Sequence, residues 1–528
     1  MAPKTKTPSH ASRDLKANAA RPILVAQGMT LRDLLVGAPI PQPIGNPDSE
    51  ITDVAFDSRK VRPGSLFVAI RGEKADGNRF VGDALSRGAL AVASELARLA
   101  DLPRSVEWIQ VPSARRFLAV VSANFYDRPV ESLKLIGITG TNGKTTVAYL
   151  ADSILRAAGC TTGLFGTIAH RTPLATYPAS NTTPESLDLQ RFLAEVRNAR
   201  GSHAVLEASS HALALDRLWG CPFTVAVFTN LTQDHLDFHK SFDDYFAAKR
   251  LLFEGTGRGV PVVGVVNTDD SYGRQLAGLA RRTLTYGLHN GAEVTTKKFA
   301  LTFSGLEFTV QSPSGKIEIQ SSLVGRINVY NILAAVAAGL AVEIPRDKIA
   351  AGIRQLASVP GRFERVDAGQ PFFVVVDYAH TDDALRNLLA TATELKKIGR
   401  IITVFGCGGD RDRTKRPLMG EVAGQGSDLV VLTSDNSRSE DPLRIINDVV
   451  VGLQKARAQY RVEPDRERAI EIALGEARPG DIVLLAGKGH ERYQILADRT
   501  IPFVEEEVVR RALARLGYGK PEGGTAGS

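Results

Sequence analysis

Residues 133–150 read LKLIGITGTNGKTTVAYL. The apolar run up to Thr139 has the composition of a buried strand, and from Lys144 onward the apolar residues are spaced as in a helix. Between them lie Gly140, Thr141, Asn142 and Gly143. A glycine-rich turn that follows a strand and opens a helix lets successive backbone N–H groups and a helix N-terminus surround phosphate. Lys144 then reaches the terminal phosphates, and the hydroxyl of Thr145 or Thr146 faces a divalent cation. The commoner form of this loop has a glycine five residues before Gly143, where this chain has Ile138; here the glycine is Gly140. The loop predicts a nucleoside triphosphate and leaves the reaction open.

Outward from this loop, the runs LKLIGIT, HAVLEAS, TVAVFTN and PVVGVVN alternate with helical patterns, the signature of a largely parallel sheet covered by helices. The stretch 296–324 alternates apolar and polar residues and predicts antiparallel strands, after which the helix NVYNILAAVAAGLAVE closes the domain. Beyond VPGRFERV, the segments FFVVVDYAH, IITVFGCGGD, DLVVLTSDN and DIVLLAGKGH predict a second doubly wound sheet. Ligands of such sheets bind beyond the carboxyl ends of the strands, and those ends carry Asp377, Arg411, Asp435 and Lys488. Upstream, GSLFVAI and GALAVAS sit among Gly, Pro and Asp turns as a small α/β unit that ends near DRPVES. The expected class is α/β with three domains: a small N-terminal α/β domain at 25–132, a central P-loop-type, mostly parallel sheet domain at 133–365, and a C-terminal Rossmann-like doubly wound domain at 366–517. A basic tail at 1–24 and a tail at 518–528 are expected to be disordered.

The 528 residues exceed what one core can organise, with 43% hydrophobic and 23% charged residues as in ordinary globular proteins. The net charge of +7 owes much to Lys4, Lys6, Arg13, Lys16 and Arg21, set against Asp14 alone. That is a solvated basic tail, and no nucleic-acid partner is expected; the mild excess suits small anionic substrates. Cys160, Cys221 and Cys407 show no CxxC spacing, which argues against a disulfide framework or zinc cluster and for a reducing cytoplasm. No run approaches the ~18 apolar residues of a membrane helix, and no signal-peptide core is present, so neither membrane insertion nor export is expected. A monomer is expected.

Chemistry-bearing residues cluster in a few segments. AVLEASSHAL places Glu207 at a strand end with His211 four residues on, a pair able to share a divalent cation with phosphate; a capped turn with a surface histidine is the plainer reading. TNLTQDHLDFH packs Asp234, His235, Asp237 and His239 together, either as metal ligands or as a polar turn ordering the site. In SFDDYFAAKRLLF, Lys249 falls on the apolar stripe of Phe242, Phe246 and Phe253. Either its stem snorkels to water, or it is a lysine of lowered pKa that reacts with CO₂ to become a carbamate. GCGGDRDRTKRP offers Arg411 and Arg413 to clamp a carboxylate, while Asp435 and Glu491 are suited to an ammonium. Together with Asn436 and Arg438 of SDNSRSEDP they form a receptor for a zwitterionic amino acid. AGKGHERYQ adds Gly487, Lys488, His490 and Glu491, and VVVDYAH adds Asp377 and His380, placed to touch a ribose or a phosphate.

Taken together, GTNGKTT, NTTPES, EASSHAL, TNLTQDHLDFH, YFAAKRLLF, DYAHTDDAL, FGCGGDRDRTKRPLMG, SDNSRSEDP and AGKGHERYQ resemble the Mur ligases of peptidoglycan synthesis, in order and over roughly residues 50–505. The shorter loop with Gly140 is that family's version. The resemblance is greatest to members that add meso-diaminopimelate to UDP-MurNAc-L-Ala-D-Glu, with the lysine-adding ligase of the same family as the alternative and a folylpolyglutamate-synthetase-type ligase as a more distant one. It implies that ATP phosphorylates the D-glutamyl γ-carboxylate and that the incoming amine attacks the acyl phosphate. It further implies that Gly140, Thr141, Asn142, Gly143, Lys144, Thr145, Thr146, Asn328, Arg362 and Asp377 hold ATP, and that Thr145 and Glu207 bind one Mg²⁺. By the same analogy His211 and carbamylated Lys249 (N6-carboxylysine) bind a second, so that Lys144, Glu207, His211 and Lys249 form the catalytic set. Ser58 and the loop Glu73, Lys74 and Ala75 match the uridine region; Asn181, Thr182, Thr183, Ser209 and Arg217 match the positions that hold the MurNAc-peptide. Arg411, Asp435, Asn436, Ser437, Arg438, Gly487 and Glu491 match the diaminopimelate site. There the family carries Asp-Asn-Pro-Arg, and this chain has Ser437 in place of the proline, which removes a rigid turn residue. Arg438 favours diaminopimelate, because it would sit badly beside the ε-ammonium of lysine. Asp382 also stands where proline is common, and is expected to alter only a helix start.

Overall fold

In the computed structural model the described residues are 28–40, 44–72, 75–98, 100, 102–103, 105–235, 238–289 and 291–519. The expected tails therefore lie outside them, apart from 518–519. The chain divides into two compact units, 1–114 and 115–528.

In the first unit, GSLFVAI and GALAVAS form the strands Ser65–Val68 and Ala91–Ser94, every residue of which is buried. Such continuous burial is what a parallel strand covered on both faces requires. They pair in parallel between Asp53–Ala55 and Glu107–Gln110 in a four-stranded sheet. Phe67 and Val92 pack with Val81 and Ala84 of the helix Val81–Ser86.

The second unit contains two large sheets. The first has eight strands, in the order Thr176–Pro178, Ala169–Arg171, Thr162–Phe165, His203–Glu207, Lys134–Thr139, Phe223–Phe228, Val263–Asn267 and Arg282–Tyr286. The six from Thr162–Phe165 onward are parallel. Alternation along each strand sends side chains to opposite faces. Ile136, Ile138, Val205 and Val227 meet the helices Lys144–Ala157, Arg326–Ala341 and Arg346–Gln355 on one side. Leu135, Leu206, Ala226 and Phe228 meet Ser186–Asn198 and Phe242–Glu254 on the other. Arg326–Ala341 is apolar on all sides, and its residues Val329 and Asn331–Gly339 are buried, as a core helix must be. The alternating stretch forms the expected antiparallel strands Phe299–Thr302, Gly305–Val310 and Ile317–Ser321.

The second sheet runs Glu364–Val366, Phe373–Asp377, Ile482–Ala486, Ile401–Phe405, Leu429–Leu432, Tyr460–Val462. All but the first are parallel, and separate apolar clusters cover its two faces, so the doubly wound expectation holds. Ile482–Ala486 arrives last in sequence yet inserts beside Phe373–Asp377. The order thus reverses there, the position at which sheets of this kind bind ligands beyond the carboxyl ends of their strands. Asp382 begins the helix Asp382–Leu395, capped by Thr381.

Helices Lys144–Ala157 and Arg346–Gln355 cross at Gly352, where an added Cβ would lie 2.4 Å from the Ile154 Cα. Backbone blocks backbone there, so Gly352→Ala is expected to cost about 1–3 kcal/mol. A depressed unfolding midpoint in a denaturant titration is the check, and an unchanged midpoint would contradict this packing.

Candidate functional site

Gly140 and Gly143 have φ of +142° and +86°, and each is crowded as well. A Cβ on Gly140 would lie 1.9 Å from the Thr229 Oγ1, and one on Gly143 would lie 2.4 Å from the Asn331 Oδ1. The loop between them is tied down from the end of the neighbouring strand. Thr229 Oγ1 donates to the Asn142 carbonyl (2.6 Å), the Asn142 N–H to Asn230 Oδ1 (3.0 Å), and the Thr141 N–H to the Asn230 carbonyl (2.8 Å). The hydroxyls of Thr141 and Tyr245 share a bond of 3.1 Å.

Two ammonium groups converge beneath this loop. Lys144 Nζ donates to the carbonyls of Gly140 (2.9 Å) and Thr141 (2.7 Å), and Lys249 Nζ donates to the same Gly140 carbonyl (2.8 Å). Lys249 is 1% exposed, which excludes snorkelling: its ammonium points inward, 4.3 Å from the centre of the Tyr245 ring. Burial, reinforced by the charge of Lys144, holds its pKa well below the usual lysine range. Burial also lowers that of Lys144, against the pull of Glu207 and Asp234.

Glu207 ends the strand His203–Glu207 and is buried. Its carboxylate accepts from Thr145 Oγ1 (2.9 Å), the Thr167 N–H (2.9 Å) and Thr167 Oγ1 (3.0 Å). Arg362 donates from Nη2 to Thr145 Oγ1 at 3.4 Å and stacks over Tyr378. Its buried Nε has no hydrogen-bond partner among the described residues, a donor left for an anion. The Asp377 carboxyl accepts from the N–H groups of Phe363 (2.6 Å) and Ala379 (2.8 Å), and burial pushes its pKa up. The loop, Glu207, Lys249, Asn328, Arg362, Asp377 and His380 line one cavity. Asn328 is fixed through its Nδ2, which donates to the Val324 carbonyl, and its Oδ1, which accepts from Asn331.

Asp234 and His235 line the same cavity. Burial takes the His235 pKa down to about 3, so its imidazole is neutral. His211 packs against His235 and Phe238, with ring centres 4.8 and 4.1 Å apart, while Asp237 lies outside the described residues. Among the described residues no group of three His, Cys, Asp or Glu converges as a metal cluster. Next to Glu207, Thr183 Oγ1 donates to the Glu207 carbonyl (2.6 Å) and meets Ser209 Oγ at 3.1 Å; Thr182 and Thr167 hydroxyls lie 3.1 Å apart. Arg217 donates to the Thr183 carbonyl and pairs with Glu185 at 2.9 Å, and Asn181 is exposed. In the first unit Ser58 is buried, the Ala75 carbonyl accepts from the Gly72 N–H, and Glu73 and Lys74 lie outside the described residues.

At the carboxyl ends of the second sheet, Asp435, Asn436 and Glu491 do come together, but around a side chain of the protein. Lys488 Nζ lies 2.7 Å from Glu491 Oε2, 3.0 Å from Asn436 Oδ1 and 3.4 Å from Asp435 Oδ1. Lys488 is absent from the lining of the phosphate cavity, whereas Asp377 and His380 are part of it. Gly487 (φ +110°) turns the chain beside the Asp435 carboxylate. Arg438 donates to the carbonyls of Gly409 (2.8 Å) and Asn436 (3.3 Å). Its pKa is lowered by burial and by Arg411 nearby, so two guanidinium charges are neighbours. Arg413 is exposed and pairs with Glu440 at 3.1 Å. The turn at Ser437 is held by hydrogen bonds: the Glu440 N–H donates to the Ser437 carbonyl, and Ser439 binds Asp410 through N–H and Oγ.

Sequence reasoning missed Asp383, whose Oδ2 accepts from Asn142 Nδ2 (2.7 Å) and Thr232 Oγ1 (3.1 Å). Its only signal was the Asp382-Asp383 doublet, which reads equally as helix-dipole compensation. Thr229 and Thr167 were missed too; a lone threonine after a strand carries no pattern.

A glycine-hinged phosphate cradle, facing a second α/β sheet that contributes an arginine and an aspartate, defines an α/β protein of the nucleotide-using class. The Mur ligase middle domain model matches residues 138–339, the Mur ligase glutamate ligase domain 361–489, and the Mur ligase family catalytic domain 50–126. The chain belongs to the Mur ligase family. It is 53% identical over 493 residues (93% of this chain, 99% of the relative) to a UDP-N-acetylmuramoyl-L-alanyl-D-glutamate–2,6-diaminopimelate ligase of Solibacter usitatus. A protein of the same name from Bacillus velezensis is 44% identical, with 91% and 98% covered. A solved structure bearing that name, 32% identical, superposes with a TM-score of 0.66 over 93% of this chain and all of the other.

Gly140→Ala is expected to weaken binding of a non-hydrolysable ATP analogue at least about tenfold, or 1.4 kcal/mol, because the methyl group collides with Thr229 and the φ is unfavourable to alanine. Titration calorimetry measures it; an affinity within twofold of the parent would contradict the described loop.

Proposed function

We propose that the chain is an ATP-dependent amide-bond ligase of peptidoglycan precursor synthesis that joins meso-diaminopimelate to UDP-MurNAc-L-Ala-D-Glu. The observation that carries the substrate is the paired polarity of the second-sheet site: the Arg438 and Arg411 cations lie beside the carboxylates of Asp435 and Glu491, complementary to one zwitterionic centre of a diamino diacid. A lysine acceptor would set its ε-ammonium against those arginines.

The chemistry divides into two steps. The D-glutamyl γ-carboxylate attacks the γ-phosphorus of ATP, releasing ADP and leaving an acyl phosphate. The neutral amine of diaminopimelate then adds to the acyl carbon, loses a proton, and expels phosphate as the amide forms. Two anions must meet in the first step, so the backbone N–H groups of the loop, Lys144 and the unpaired Arg362 Nε balance charge on the moving phosphoryl group. Thr145 and Glu207, already 2.9 Å apart, suit a Mg²⁺ that takes its remaining ligands from phosphate and water. That ion would supply charge neutralisation; His211 and a carbamate on Lys249 are the proposed ligands of a second. Burial favours the neutral Lys249 amine, which can add to CO₂, shed a proton and become an anion next to Lys144. Asn181, Thr182, Thr183, Ser209 and Arg217 are assigned to the MurNAc-peptide, and Ser58, Glu73, Lys74 and Ala75 to the uridine end.

Phosphate release from ATP with UDP-MurNAc-L-Ala-D-Glu, offered diaminopimelate and lysine separately, tests the reading. Turnover with diaminopimelate alone is expected, and turnover with lysine alone would overturn it. Lys249→Ala is expected to abolish turnover nearly completely, with partial recovery on adding short carboxylic acids; full activity would refute the carbamate. Arg438→Ala removes a charge-assisted pair of about 1.5–3 kcal/mol, so the KM for diaminopimelate is expected to rise about tenfold or more while that for ATP holds. Equal changes in both would count against the assignment.

A further inference from the structure

The Lys488 side chain is 0% exposed, whereas its partners Asp435 and Glu491 retain 9% and 18%. The ammonium therefore sits behind the carboxylates, and the carboxylates keep an open side. An ammonium has three N–H donors, and three acceptors face this one: Glu491 Oε2 at 2.7 Å, Asn436 Oδ1 at 3.0 Å and Asp435 Oδ1 at 3.4 Å. Asn436 is thereby fixed in one orientation, since its Oδ1 also accepts from the Ile495 N–H (2.9 Å) and its Nδ2 donates to Glu491 (2.9 Å). Burial raises the Asp435 pKa while Lys488 and Arg466 outweigh it, so the carboxyl stays ionised.

Two carboxylates and one internal ammonium leave a single negative charge. Ion clusters of this kind seldom stabilise a fold more than apolar packing would, so its use lies in what the open side can bind. We propose that Lys488 is a positioning and specificity-determining residue: it aligns Asp435, Asn436 and Glu491 and cancels one of their two charges, so that the site accepts an amino acid through one ammonium group. This rests on the diaminopimelate reading above.

The test is steady-state kinetics of Lys488→Met with each substrate varied in turn. The KM for diaminopimelate is expected to rise at least about tenfold while those for ATP and UDP-MurNAc-L-Ala-D-Glu stay within about twofold. In Lys488→Ala, added propylammonium is expected to restore the low KM and 1-propanol is not. An unchanged KM for diaminopimelate, a joint rise in all three KM values, or equal rescue by the alcohol would overturn the proposal. If the methionine variant does not fold, Lys488→Gln, which keeps donors but no charge, carries the same measurement. Failure of the parent enzyme to join diaminopimelate would defeat the functional reading instead, and the kinetics would then be run with the amino acid that it does join.

Discussion

The carbonyl oxygen of Gly140 accepts from two ammonium groups, Lys144 and Lys249, and neither is ion-paired with a carboxylate among the described residues. Burial lowers the pKa of both, furthest for Lys249, where the charge of Lys144 adds to it, so the site favours a neutral amine at Lys249 and negative charge brought from outside. The surrounding architecture serves that arrangement. Only glycine can turn at positions 140 and 143 against Thr229 and Asn331, and Thr229 and Asn230 carry the loop because they extend the adjacent parallel strand. Glu207 is bonded to Thr145 rather than to either lysine, and its charge offsets only part of the burial that acts on Lys144.

The second sheet meets the same problem in the opposite way. At the carboxyl ends of its strands the chain supplies its own cation, Lys488, to the acidic pair Asp435 and Glu491, with Arg438 and Arg411 as neighbours. The first site thus gathers lysines beneath a glycine-rich loop, and the second brings both signs of charge together. This division suits a reaction in which an anhydride is made in one place and consumed by an amine held in another.

Much of this was legible in the residues. Period-two alternation and continuous apolar runs located the sheets, since a buried parallel strand has no other composition available. The phosphate loop was legible because glycine, lysine and threonine at that spacing have a backbone reason to be there. What escaped was of two kinds. Asp383 and Thr167 act through contacts across long sequence separations, which leave no local pattern. Lys249 and Lys488 were seen as residues, but their environments were not: whether a lysine on an apolar stripe surfaces or stays inside depends on what packs over it. The Ser437 turn makes the same point, because Asp410 and Glu440 hold a bend that proline was expected to enforce.

Asp383 deserves a last consequence. It belongs to the helix that follows the first parallel strand of the second sheet, yet it accepts from Asn142 in the nucleotide loop. A single carboxylate oxygen therefore joins the glycine-rich loop of the first large sheet to a helix of the second. The bond ties the position of the glycine-rich loop to that of this helix, so loss of the Asp383 carboxylate would free both.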